Sequence, residues 1–95
     1  MRVISRKRLK AANERHGDLE GPLETWYRVA KHAKWQNLQE IRRTYPSADS
    51  VEGYTVFNIK GNDYRLVVKI EYRFGMIFIK NVLTHAEYDK GDWKK

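Results

Sequence analysis

The chain has 95 residues, 41% hydrophobic and 13% aromatic, which excludes a disordered or collagen-like polymer and suits one globular domain over 1–95. Nineteen lysines and arginines against twelve carboxylates give a net charge of +7, which points to a polyanionic partner: nucleic acid, an anionic membrane surface or an acidic protein. Cysteine is absent, so disulfides and thiolate metal sites are excluded, and a reducing cytoplasmic location is expected.

Charges interrupt every apolar run in residues 1–20, and no window approaches the roughly 18 apolar residues of a membrane span. A soluble protein without signal peptide or membrane contact is expected. Residues 1–4 read as a short first strand. Ser5 is placed to N-cap a helix over about 6–15, with Leu9, Ala11 and Ala12 inward and Arg6, Lys7, Arg8, Lys10 and Arg15 outward. Gly17-Asp18 breaks it. Leu19, Leu23, Trp26, Tyr27 and Ala30 have helical spacing and predict a second helix over about 19–33, with Pro22 in its first turn. Asn37 and Glu40 stand as N-cap and N3 of a third, short helix that packs Leu38, Ile41 and Tyr45 and stops at Pro46.

The second half changes from helical to alternating period. Strands are expected over 54–60, 63–73 and 76–83, joined by turns at Gly61-Asn62 and Phe74-Gly75. This is a three-stranded antiparallel meander. The whole is an α+β domain: a short N-terminal strand, then two to three helices packed on one face of an antiparallel sheet.

Alternation also sorts the charges. In the middle strand Tyr64, Leu66, Val68, Ile70, Tyr72 and Phe74 point one way, toward the helices. Asp63, Arg65, Val67, Lys69, Glu71 and Arg73 point the other way. Phe57 and Ile59 suit the core, leaving Val56, Asn58 and Lys60 opposite. Ile77, Ile79 and Leu83 suit the core in the last strand and place Lys80 among the other cations. One sheet face thus offers Lys60, Arg65, Lys69, Arg73 and Lys80. A solvated face whose cations deter edge aggregation and pair with Asp63 and Glu71 is about as good a reading as a phosphate-binding one.

Beyond the last strand, His85, Glu87, Tyr88, Asp89 and Lys90 gather an imidazole, a phenol, two carboxylates and an ammonium within six residues. His16 and His32 suit helix C-termini, where a cation is favoured. Trp26 and Trp35 suit the core. No His, Asp or Glu spacing suggests a metal site, and neither a glycine-rich phosphate loop nor a nucleophile elbow is present.

Three features together resemble the HigB-type toxins of bacterial toxin–antitoxin modules, within the RelE-like superfamily. They are the basic first helix, the stretch 54–67 with Gly61-Asn62-Asp63-Tyr64-Arg65, and Leu83-Thr84-His85-Ala86-Glu87-Tyr88-Asp89-Lys90. The resemblance covers nearly the whole chain. It implies a compact RelE-like fold and an mRNA interferase, an endoribonuclease that cuts messenger RNA, often on the ribosome, with no cofactor. It further implies neutralisation by a HigA-like antitoxin with a helix-turn-helix domain, and contact with operator DNA only through that complex.

Metal-independent RNA cleavage needs a base for the 2′-hydroxyl, cations for the charge that builds on phosphate, and an acid for the leaving 5′-oxygen. An imidazole titrates near neutrality, so His85 suits either proton role, and Tyr88 completes the pair or stacks on a base. Arg65 suits the phosphate, since a guanidinium matches its oxygens two at a time. Lys80 stands nearest to this group along its strand. Lys60, Lys69 and Arg73 would hold the RNA backbone, and Asp89 would orient His85 or a cation. The rival readings are a basic nucleic-acid-binding domain without catalysis, and a basic face that docks an acidic protein.

Overall fold

A computed structural model describes residues 1–94; Lys95, inside the domain expected over 1–95, lies outside them. The elements in chain order are β1 Arg2–Ile4, α1 Arg6–Arg15, α2 Glu20–His32, α3 Leu38–Thr44, β2 Asp49–Val51, β3 Tyr54–Ile59, β4 Tyr64–Glu71, β5 Met76–Thr84 and α4 His85–Lys90. Short 3₁₀ turns fill Gly17–Leu19, Tyr72–Phe74 and Asp92–Lys94. The sheet order is β1-β5-β4-β3-β2. The expected meander is its centre, but the sheet is mixed, because β1 runs parallel to β5. Among the described residues no helix is long and apolar enough to cross a membrane.

Helix α1 occupies the expected span, yet Ser5 does not cap it in the expected way. Its backbone is left-handed (φ 72°) and its side chain makes no capping bond. Asn37 does cap α3, accepting from the Glu40 amide at 3.0 Å, while the Glu40 carboxylate reaches back to the Gln36 amide at 2.9 Å. That is one residue upstream of a strict capping box. Ala11 is exposed, so α1 contributes Leu9 and Ala12 to the core.

The main core lies between α1–α3 and one sheet face. Leu19, Leu23, Trp26 and Ala30 of the second helical segment meet Phe57, Leu66, Val68 and Ile77 of the strands, all essentially buried. Phe57 is its aromatic centre, with Trp26, Tyr45 and Trp35 at centroid distances of 5.4, 5.3 and 6.1 Å. Phe74, expected inside, is 68% exposed, because the strand ends at Glu71 and the 3₁₀ turn swings Phe74 outward.

A β-bulge corrects the expected alternation of β5. The register passes from Val67 opposite Asn81 to Val68 opposite Ile79, so Lys80 is the extra residue. Unbroken alternation would turn Asn81 and Leu83 toward the helices. With the bulge, Val82 enters the main core and Leu83 packs on the opposite face. Pairing of β5 with β1 ends at Phe78; beyond it Arg8 of α1 donates Nη1–H to the Lys80 carbonyl at 2.7 Å, covering the open strand edge.

Lys60 also departs from expectation. It follows β3 with a left-handed backbone (φ 53°), and its ammonium meets Asp18 at 2.6 Å, on the turn between α1 and α2. The Tyr64 hydroxyl donates to the same carboxylate at 3.1 Å. The Lys60 hydrogen bond, followed by that of Tyr64, outweighs desolvation and holds the Asp18 carboxyl below its ordinary range; the Asp18 bond likewise raises the Lys60 pKa. Asp18 therefore contributes stability that is full above the unfolded carboxylate pKa and lost as pH falls through the lower folded value. Asp18→Asn is expected to melt below the parent at pH 7, the gap closing under acid, in parallel calorimetric scans across pH.

Candidate functional site

The sheet face opposite α1–α3 carries a second, smaller cluster. Val56, Val67 and Trp93 are buried there, with Val51, Tyr54, Leu83 and Tyr88 packed around them. The cover comes from α4 and the turn after it, where a mostly polar face was expected. Thr84 and Glu87 form a reciprocal capping box at the start of α4: Glu87 N–H donates to Thr84 Oγ1 at 3.1 Å and Thr84 N–H to Glu87 Oε1 at 2.8 Å. Gly91 ends the helix in the left-handed conformation (φ 77°), where a side chain would be strained. The following turn lays Trp93 on the sheet.

Arg65, 9% exposed, enters this face beside Val67. Its Nη1 donates to the carbonyls of Asn62 and Tyr64 at 3.0 and 3.2 Å, and Nη2 to Asn62 Oδ1 at 2.7 Å. A guanidinium has five N–H donors, so Nε–H and one Nη2–H stay uncommitted among the described residues. No carboxylate there pairs with Arg65. A nearly buried cation held by neutral acceptors, with donors to spare, has the hydrogen-bonding capacity to receive an anion.

Cations and rings run from Arg65 across the face. The guanidinium lies 5.6 Å from the Tyr88 ring centre, and Tyr88 stacks on Trp93 at 5.1 Å with planes 16° apart. Trp93 meets the edge of Tyr54 at 6.1 Å, and the Lys80 ammonium sits 4.8 Å over Tyr54. Arg65, Tyr88 and Lys80 thus share one surface, with Lys80 turned onto it at the bulge.

His85 and Asp89 lie one helical turn apart on α4, with Nε2 and Oδ2 separated by 3.1 Å and both side chains well exposed. The 85, 88, 89 spacing puts His85, Tyr88 and Asp89 along one side of the helix. The His85 amide bonds the Asp63 carbonyl at 3.0 Å, tying the start of α4 to the start of β4. Burial first, then the Asp49 carboxylate, raises the Tyr88 phenol above its ordinary pKa; Asp89 adds to this and Arg65 opposes it. Tyr88 therefore keeps its proton at neutral pH.

Three cations stand apart. Lys60 is committed to Asp18 on the helix side. Lys69 is exposed and lies 3.8 Å from Glu71, and Arg73 rests near Phe74 at the far end of β4. Conversely, Asn62, Tyr54 and Trp93 join the site without having been read as site residues in the sequence. Thr84-x-x-Glu87 is the sequence signal that could have revealed α4 and, with it, a covered face. Trp93, alone behind Gly91-Asp92, reads as tail.

Comparison with known proteins agrees with this architecture. Residues 19–91 match the family model HigB_toxin, described as the RelE-like toxic component of a toxin–antitoxin system. The chain is 27% identical over 93 residues to a protein of Escherichia coli O6:H1 named mRNA interferase HigB, covering 95% of this chain and 90% of that one. It is also 27% identical over 92 residues to the mRNA interferase toxin HigB of Escherichia coli K12, covering 94% of this chain and 88% of that protein. The same identity and coverage hold for mRNA interferase HigB of Shigella flexneri. The match spans most of the chain, and the protein belongs to the HigB_toxin family of RelE-like toxic components of toxin–antitoxin systems.

Proposed function

We propose that this chain is a cytoplasmic endoribonuclease that cleaves messenger RNA on the ribosome and is neutralised by a HigA-like antitoxin. The antitoxin carries a helix-turn-helix domain, and operator DNA is met only through the complex of the two. The observation that carries the reading is Arg65: a nearly buried guanidinium beside Tyr88 that, among the described residues, meets no carboxylate and keeps two N–H donors uncommitted. The interferase names of its relatives support the substrate.

In the proposed reaction the 2′-oxygen loses its proton and attacks the adjacent phosphorus while the bond to the 5′-oxygen breaks. The products are a 2′,3′-cyclic phosphate and a 5′-hydroxyl. Arg65 receives the charge that builds on the non-bridging oxygens. Tyr88, protonated at neutral pH, suits the donor side, giving a proton or hydrogen bond to the leaving oxygen. His85 then takes the 2′-proton; with Nε2–H directed at Asp89, the Nδ1 lone pair is the one that receives it. Lys80 draws the RNA backbone onto the face, with Lys69 further along β4.

Inducible expression in a bacterium tests this reading. Growth arrest with cleaved messenger, relieved by co-expression of the neighbouring gene product, is the expected outcome. Tight, salt-sensitive RNA binding without cleaved product would replace it with a non-catalytic binding domain.

A further inference from the structure

We propose that Trp93 is the positioning residue of this site, fixing the Tyr88 ring and, through it, the disposition of Arg65. The inference rests on the roles given above to those two side chains. Trp93 lies outside residues 19–91, the part of the chain matched to the family.

Helix α4 has six residues, none of them fully buried. A helix that short does not hold itself in water, and tertiary anchoring must supply what length does not. Trp93 supplies it. At 7% exposure it is the buried side chain among the described residues after Thr84, seated in one cluster with Val56 and Val67 of the sheet. Its indole N–H donates to the Tyr88 carbonyl at 3.0 Å, and its ring lies nearly parallel to that of Tyr88, 5.1 Å away. One residue is thus gripped twice, at its backbone and at its ring.

The arrangement reaches past Tyr88. With Trp93 on one side of the ring and the Arg65 guanidinium 5.6 Å from its centre, the phenol has little rotational freedom. Asn62 and the Tyr64 carbonyl hold the guanidinium from behind. A site whose side chains are locked before substrate arrives loses less on reaching the transition state. The indole itself, covered by Tyr88, Tyr54 and the sheet, acts through Tyr88 without touching RNA.

Three variants test this in a reconstituted translation reaction with a defined messenger. Trp93→Leu keeps an apolar side chain on Val56 and Val67 but loses the stack and the N–H donor. Trp93→Phe keeps the stack. Ile41→Val, in the helix-side core, controls for lost stability. The expected result is a fall of about tenfold or more in maximal cleavage rate for Trp93→Leu, with the half-saturating messenger concentration nearly unchanged, and Trp93→Phe within about threefold of the parent. NMR of ring-labelled tyrosine, assigned with Tyr88→Phe, is expected to show the Tyr88 titration falling toward that of free tyrosine in Trp93→Leu. Near-parental cleavage by Trp93→Leu, or an equal loss in Ile41→Val at matched melting temperature, overturns the inference. If the parent itself cleaves nothing, the enzymatic reading fails and the NMR titration decides alone: a shift in Trp93→Leu upholds the positioning, and no shift overturns it.

Discussion

Arg65→Lys is expected to lower messenger cleavage about a hundredfold or more, the scale of removing one oriented donor from a developing oxyanion. The lysine keeps the charge but not the geometry. Arg65 spends three N–H groups on Asn62 and the Tyr64 carbonyl and still offers others to an anion. An ammonium has one compact head, which either satisfies those carbonyls or approaches a phosphate. Arg65→Ala is expected to lose activity as well, and to cost about 1–3 kcal/mol of stability by removing the donor to the buried Tyr64 carbonyl. Lys80→Ala touches a surface cation over Tyr54, so its effect should fall mainly on RNA affinity and grow smaller at high salt. Single-turnover cleavage at several salt concentrations separates the two. Cleavage by Arg65→Lys within a few-fold of the parent would remove Arg65 from the chemistry.

The largest expected effect on stability belongs to Phe57→Ala, on the other side of the sheet. Phe57 is fully buried, and Trp26, Trp35 and Tyr45 all pack on its ring. Truncating a buried phenylalanine costs about 3–5 kcal/mol, because the lost transfer free energy is joined by a cavity its neighbours fill only in part. Three aromatic neighbours anchored on three different segments cannot all collapse inward. A domain of this length has a stability of roughly 5–15 kcal/mol in all, so the variant stands near the edge of folding. A fall in melting temperature of about 15–30 °C is expected. Urea titration should show a lowered midpoint at an unchanged slope.

The meander and the three main helices were legible in the sequence because each buries a face at its own period. Leu19, Leu23, Trp26 and Ala30 recur at helical spacing, while Leu66 and Val68 alternate with Arg65 and Val67. What stayed hidden follows from local events that break periodicity. Strand β2 has only Asp49, Ser50 and Val51, too few residues and too polar to show alternation. The extra residue at Lys80 reverses the facing of everything after it, so Val82 replaces Leu83 in the main core. One left-handed residue, Lys60, sends an expected face cation to Asp18.

The candidate site was legible as a list of residues but not as a surface. Arg65 and Tyr88 lie 23 positions apart, and their approach depends on α4 folding back over the sheet. That return is fixed by the Thr84–Glu87 capping box and by Trp93, which is seated on Val56 and Val67 of the sheet. A sheet face expected to be mostly polar proves to hold a small apolar floor with cations at its margin.

The chemistry of the ends left on cleaved messenger tests the account most directly. Messenger recovered after induction of the parent chain should carry new 5′-hydroxyl ends, matched by 2′,3′-cyclic phosphates upstream, and induction of Arg65→Lys should leave the messenger intact. New ends bearing 5′-phosphate would contradict attack by the 2′-oxygen, and with it the roles given to Arg65, Tyr88 and His85.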